Sequence, residues 1–396
     1  ELVRYENGLL HIGAQTSATA TPLAELSRSF NPLLASEQTP SSHFKWGFLG
    51  YFGYPLHQTL EQQRVAPESP GQLPDLWGGL YDWSIVTDHR QRWTRVFAAS
   101  PSALRAARAA LDQAPRAQAK VTVGSFSASL TANEYDRAFA RAQQYIASGD
   151  CYQINFAKHY EAELEGHPFD LYQSWLQRQS APFCAYLGIG NSQALVSLSP
   201  ERFVRSSGGL ASVSPIKGTR PRSTHSATDT LAKLALLSSD KDRAENLMIV
   251  DLLRNDLGRV AVPGSVQVTH LFEPVSFVNV HHLVSTIEAS VRPGLGALDL
   301  VQALFPCGSV TGAPKIRAMD IINELEPVGR SAYCGAVGYI DASGEMDLSV
   351  TIRSAVINQQ RIHLWGGGGL VAQSRAAAEQ QEIEDKIGRL MRAAAR

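Results

Sequence analysis

Apolar residues along the chain change period several times, and each change predicts an element. From Thr131 they recur at helical spacing. Phe139, Ala142, Tyr145 and Ile146 form one stripe, Thr131-Ala-Asn-Glu134 has the spacing of a capping box, and Gly149 is placed to stop the helix. A second helix is expected from Ser239-Asp-Lys-Asp242, with Ser and Asp as cap candidates, to about Gly258. A third follows Pro314 to Leu325, and a last one runs from Ser374 towards the C-terminus. Elsewhere the pattern alternates or runs apolar. Strands are predicted at 46–54, which is aromatic and glycine-rich, and at 80–87, paired with 93–98. More are predicted at 152–160, 185–188, 195–199, 210–214, 265–271 and 280–288. A hairpin of 336–340 and 346–357 turns at 341–344, and the strand 361–365 enters Gly366-Gly-Gly-Gly369. Strands in consecutive runs without strict β-α alternation predict an α+β fold. Residues 101–120, rich in Ala and Arg with scattered Pro, read as a surface helix and a linker. They divide an N-terminal subdomain, 1–120, from a larger domain, 121–396.

Composition narrows the function. The 396 residues carry a net charge of -1, with 44% hydrophobic and 18% charged residues, so no basic surface points to nucleic acid or an anionic membrane. No apolar run reaches the ~20 residues that span a bilayer, and the polar start does not read as a signal peptide, so none is expected. The chain does not begin with Met, so its first segment is expected to be incomplete. The four cysteines, 151, 184, 307 and 334, stand apart. They suggest neither a zinc cage nor a disulfide framework, and isolated thiols fit a reducing cytoplasm.

Candidate chemistry centres on Lys217, in Pro215-Ile-Lys-Gly-Thr219. The chain has 8 Lys against 28 Arg, so a lysine beside Gly suggests selection for an amine that can lose its proton and attack carbon. The alternative is a solvated strand-end lysine. Two helices carry acidic pairs, Asp242 with Glu245 and Glu379 with Glu382. They are either solvated faces, with Glu382–Lys386 an ordinary i, i+4 pair, or, if the helices converge, an oxygen site that suits Mg²⁺. Gly366–Gly369 is either a sharp turn or a backbone anion cradle. The segment 305–317 places Ser309 and Thr311 before a helix start, a second anion cradle. Arg353, in an apolar strand, is a possible carboxylate clamp. Glu201, after Ser-Pro, is a possible acid/base, and His282 is either a hydrogen-bonded core residue or part of a site. Together these parts describe a pocket for a small dianion.

The segments 148–157, Ser199-Pro-Glu-Arg-Phe203, Pro215-Ile-Lys-Gly-Thr219, 242–256, His281-His-Leu-Val-Ser-Thr286, Gly308-Ser-Val-Thr-Gly-Ala-Pro-Lys315, Thr351-Ile-Arg-Ser354 and 367–382 resemble, in this order, the chorismate-utilising enzymes. Within that family they resemble the aminodeoxychorismate synthase branch. The resemblance covers about 130–392 densely. It implies two antiparallel sheets facing each other with helices outside and chorismate in a central cleft. It implies Mg²⁺ on Glu245 and Glu382, supported by Glu379 and Asp242, gripping the ring carboxylate with help from Thr219 and His282. Ser309 would belong to the substrate site. Tyr333, Arg353 and backbone at Gly367 and Gly369 would hold the enolpyruvyl carboxylate, and Glu201 would protonate the departing C4 hydroxyl. Isochorismate synthases usually carry a water-activating lysine where Gln153 stands, and anthranilate synthases usually carry alanine where Lys217 stands. The expected reaction is amination of chorismate at C4 through a covalent Lys217 adduct, with ammonia from a separate glutamine amidotransferase subunit. The alternatives are an anthranilate synthase component I and a non-catalytic paralogue that regulates an amidotransferase. Against the family, part of the N-terminal region is expected to be absent. Pro32-Leu-Leu-Ala-Ser36 resembles the tryptophan-binding Leu-Leu-x-Ser of many relatives but stands out of its usual place, and Pro182-Phe-Cys-Ala-Tyr186 resembles the other side of that site.

Overall fold

The computed structural model describes all residues except 35–42, 62–65, 115, 180, 191, 278–279 and 395–396, and the backbone alone at 30–34 and 394. The predicted caps form from local chemistry. Thr131 accepts from Glu134 N while the Glu134 carboxylate accepts from Thr131 N, which starts the helix Ala132–Ala147. Gly149 follows it at φ +81. Ser239 caps Asp240–Gly258 by accepting from Asp242 N.

Strands pair antiparallel into a 12-stranded and an 8-stranded sheet, with Trp83–Asp88 and Trp93–Ala98 as a separate ribbon. In the large sheet Gly47–Phe52 pairs with Ala336–Asp341, so residues 1–120 and 121–396 share a sheet. That sheet continues through Met346–Val350, Arg202–Ser207, Leu210–Val213 and Val280–Ser290 to an edge strand, Ile216–Pro221. The small sheet runs through Phe183–Gly190, Gln193–Ser199, Ser354–Asn358, Arg361–Leu370 and Gln153–Glu165. The two faces meet in one buried cluster: Phe48, Tyr51 and Leu348 come from the large sheet, and Leu195, Val356 and Trp365 from the small. The helix Ala376–Ala394 packs on Arg361–Leu370, and Asp240–Gly258 packs on Val280–Ser290.

Several expectations need correction. The strand expected at 80–87 breaks at Asp82: Leu76–Tyr81 belongs to the large sheet and Trp83–Asp88 to the ribbon. The strand expected at 346–357 also breaks. Met346–Val350 lies in the large sheet, Ser354–Asn358 in the small one, and Arg353 turns between them at φ +50. An apolar run looks the same in sequence whether it stays in a sheet or changes sheets. Its neighbour makes the reverse passage, leaving the small sheet at Ser199 and entering the large one at Arg202. The two strands pair on both sides of the crossing, and Leu198 N donates to Arg353 O at 3.0 Å. Helices Pro168–Arg178, Ser226–Leu237 and Ala297–Leu304 were not anticipated. They are short, and Leu231 and Leu234 of the second face solvent, which blurs its stripe. Of Pro32-Leu-Leu-Ala-Ser36, Ala35 and Ser36 lie outside the described residues, and Pro32–Leu34 are described only as the backbone end of a helix.

Candidate active site

The paired strands that cross between the two sheets put Glu201 and Arg353 at their two bends. Glu201 is 6% exposed. Its backbone is pinned by Val350 N donating to Glu201 O and by Glu201 N donating to Ser199 Oγ. Its Oε1 accepts from Ser309 Oγ at 2.7 Å. Burial raises its pKa, against the effects of Ser309 and Lys217, so the acid form is favoured relative to a solvated glutamate.

Lys217 sits on the edge strand Ile216–Pro221, where the register against Val280–Ser290 shifts between Lys217 and Thr219. Gly218 takes φ +70 there, and a Cβ on it would lie 2.7 Å from Leu236 Cδ1. This bulge re-aims the lysine. Its Nζ lies 3.4 Å from Ser309 O, so Ser309 touches the amine with its carbonyl and the acid with its hydroxyl. Burial lowers the pKa of Lys217, against the pull of Glu245 and Glu201.

The acidic pairs do converge. Burial raises the pKa of Glu245, and the charges of Asp242 and Glu382 push the same way. Burial also raises Glu379, whose Oε1 accepts from Ser374 Oγ at 2.7 Å. Burial pushes Glu382 up, but Lys386, Lys241 and Lys217 together lower it. Lys386 Nζ lies 2.6 Å from Glu382 Oε1 and donates to Gly367 O at 2.9 Å. The i, i+4 pair read from sequence is therefore real but lies inside the acidic cluster. Asp242 accepts from Arg220 Nη2 at 2.9 Å. Among the described residues, Glu245 Oε1 is buried without a hydrogen-bond partner. Glu245, Glu379 and Glu382 offer oxygen donors of the type a hard divalent cation takes, one of them buried and unsatisfied, but as they stand the three are not drawn together within 4.8 Å.

Gly366–Gly369 is neither a turn nor a loop cradle: it lies within the strand Arg361–Leu370, opposite Lys158 to Asn155. A Cβ at Gly366 would lie 2.9 Å from Ile383 Cγ2, and one at Gly368 3.1 Å from Glu379 Oε2. The missing side chains therefore let the C-terminal helix bring its carboxylates down onto the sheet. Ser354–Asn358 pairs only as far as Leu364. Among the described residues no strand covers that edge beyond it, which leaves backbone at 366–370 available there. Gln153, fully buried, packs on Gly369, and neither of its side-chain polar atoms has a hydrogen-bond partner among the described residues.

His282 Nδ1 lies 3.0 Å from Thr219 Oγ1, and burial lowers its pKa to about 4, so it is neutral at pH 7. Arg353 is not in a strand, as expected, but at the crossing; burial and Arg389 lower its pKa while Glu201 opposes. Tyr333 is buried and stacks on Trp365 with ring centroids 6.0 Å apart. The expected anion cradle at 305–317 is otherwise engaged. Ser309 bonds Glu201, and Thr311 Oγ1 donates to carbonyls of Cys307 and Gly308. Sequence reasoning missed the role of Ser309 as the link between Glu201 and Lys217, because the three residues lie far apart along the chain.

The model of the chorismate binding enzymes matches residues 5–392. The chain is 43% identical over 358 residues to aminodeoxychorismate synthase component 1 of Klebsiella aerogenes, covering 90% of this chain and 79% of that protein. It is 44% identical over 352 residues to the protein of the same name from Escherichia coli (strain K12), covering 88% and 77%. Anthranilate synthase component I from Streptococcus pneumoniae TIGR4 is a similar solved structure, with a TM-score of 0.87 at 30% identity, covering 98% of this chain and 89% of that one. With its two-sheet fold, its buried acid beside a part-buried amine and this match along nearly its whole length, the chain belongs to the chorismate binding enzyme family.

Proposed function

We propose that the chain aminates chorismate at C4 with ammonia, giving 4-amino-4-deoxychorismate, and that Lys217 is the nucleophile. The observation that carries this reading is the amine of Lys217, desolvated and joined through Ser309 to a buried carboxyl, Glu201. The neutral Nζ attacks C2 while the ring double bonds shift and the C4 oxygen takes the Glu201 proton and leaves as water. Ammonia then adds at C4, the C2–N bond breaks and its electron pair returns to Lys217. The Glu201 carboxylate recovers a proton from the new ammonium. The names of the relatives at 43–44% identity support the chemistry.

Arg353, Tyr333 and the open backbone edge at Gly367 and Gly369 would hold the enolpyruvyl carboxylate, and Thr219 and neutral His282 would hold the ring carboxylate. Mg²⁺ would be held by Glu245 and Glu382 with Glu379 beside them. When bound, it would neutralise the ring carboxylate and orient the substrate. Lys386 must then release Glu382. Gln153 has no basic atom with which to activate water, so it does not favour hydration at C2. The component 1 names of the relatives support a partner subunit, which we assign as the ammonia-producing glutamine amidotransferase.

Mass spectrometry of protein quenched during turnover tests the mechanism: an adduct on the Lys217 peptide is expected, and its absence with turnover intact in Lys217→Ala overturns it. The similarity to an anthranilate synthase component I supports a second reading. Release of 2-aminobenzoate from chorismate and ammonia, with no lyase added, would favour that one.

A further inference from the structure

A second cluster of ligating side chains lies away from Lys217, on the small sheet. His159 and Glu161 are two residues apart on Gln153–Glu165, so they share a face. His363, on Arg361–Leu370, stands directly opposite Glu161 in the ladder. One donor atom from each of the three lies within 4.8 Å of the others. His159 Nε2 is 3.1 Å from His363 Nδ1, and His363 Nδ1 is 3.7 Å from Glu161 Oε2.

We propose that His159, Glu161 and His363 form a binding site for a borderline divalent transition-metal ion of the Zn²⁺ class, with an open position facing a cleft. Two imidazole nitrogens on a tetrahedral zinc, each about 2.0–2.1 Å from the ion, stand roughly 3.3 Å apart, close to the spacing present here. The rings are held before any ion arrives. His159 and His363 are 6% and 4% exposed, they stack with centroids 5.3 Å apart, and His159 packs on Trp365 at 4.9 Å. Glu161 is oriented by Arg361, whose Nη1 lies 3.4 Å from Oε1, leaving Oε2 towards the histidines. Burial lowers the pKa of both rings, which leaves them neutral at pH 7, as ligands must be. All three residues line a cleft of ≈ 940 Å³ whose wall also carries Glu68, Glu163 and Glu165, so the surroundings favour a cation and leave room for water in the remaining positions. Two imidazoles and one carboxylate select against Mg²⁺, so this site is chemically distinct from the three-carboxylate cluster near Lys217.

The test uses the full chain, freed of metal by chelator and kept in excess Mg²⁺ to occupy carboxylate sites. Zn²⁺ titrated calorimetrically should bind one equivalent at micromolar affinity or tighter. Co²⁺ should give the intense visible bands of a four- or five-coordinate site, displaced by Zn²⁺. His363→Phe, which keeps a ring in the stack, should weaken Zn²⁺ binding at least tenfold, and Glu161→Gln by less. Glu245→Gln should leave the Zn²⁺ titration unchanged. The proposal is overturned if no stoichiometric Zn²⁺ binds, if binding survives unchanged in His363→Phe, if Glu245→Gln abolishes it, or if Co²⁺ gives only the weak spectrum of a six-coordinate oxygen site. In the first case the 3.1 Å contact is a histidine–histidine hydrogen bond alone.

Discussion

Two charged regions lie beside each other in the core and are built in opposite ways. Around Arg330 every charge is answered. Its guanidinium donates to both oxygens of Glu326 and to the carbonyls of Val310 and Asn155, and Glu326 also accepts from Ala157 N. Lys315 is similar, with Nζ 2.6 Å from Asp256 Oδ2 and 3.0 Å from Leu304 O. Around Lys217 the charges are left short. The amine has one long contact to a carbonyl; among the described residues Glu245 Oε1 has no hydrogen bond, only Lys241 Nζ at 3.7 Å, and the Gln153 side chain has no hydrogen-bond partner. A saturated buried pair holds strands and turns together. An unsaturated one costs stability and leaves groups ready for a ligand or a proton.

This contrast predicts which property each variant loses. Lys217→Ala and Glu201→Gln should each lower kcat for amination by on the order of 10²–10⁴-fold, while leaving the urea midpoint unchanged or raised, because a desolvated group is removed. A large loss of stability in Lys217→Ala would break the comparison. Arg330→Met should do the reverse, costing about 3–5 kcal/mol in urea unfolding because Glu326 is left charged and buried.

His57 stands beside the Arg330 region, with its Nε2 buried and without a hydrogen-bond partner among the described residues. Burial, reinforced by Arg330, lowers its pKa to about 4 despite its bond to Tyr54 O. A depressed folded pKa gives stability that is present above the unfolded value, about 6.5, and lost as pH falls through the folded one. The difference in unfolding free energy between the parent chain and His57→Gln should therefore shrink by about 3 kcal/mol from pH 6.5 to 4. A flat difference would show that burial does not hold the His57 ring neutral. The smallest expected effect is at Gly368. Its substitution by Ala puts a methyl against Glu379 Oε2 and should raise the Mg²⁺ concentration for half-maximal activity by on the order of 10-fold, with little change in kcat at saturation.

Much of this was legible where the physics is local. The caps at Thr131 and Ser239 and the breaker Gly149 depend on neighbours within four residues, so the helix starts could be read directly. The glycines at 366–369 were visible, but not their place inside a strand: a run of glycine marks space as well as turning, and only the helix above it shows which. The sheet change at 351–353 had no sequence signature, since its cause is pairing with a strand about 150 residues away.

The chain's own order of residues determined its helix caps, its α+β class, its family and the chemical types available: one conspicuous lysine, two acidic helix pairs and a Ser-Pro-Glu turn. Tertiary structure decided what those types can do. Proton affinity depends on desolvation and on charges within a few ångströms. Both are set by which distant segments fold together, so the link from Lys217 through Ser309 to Glu201 exists only once the two sheets have closed on one another.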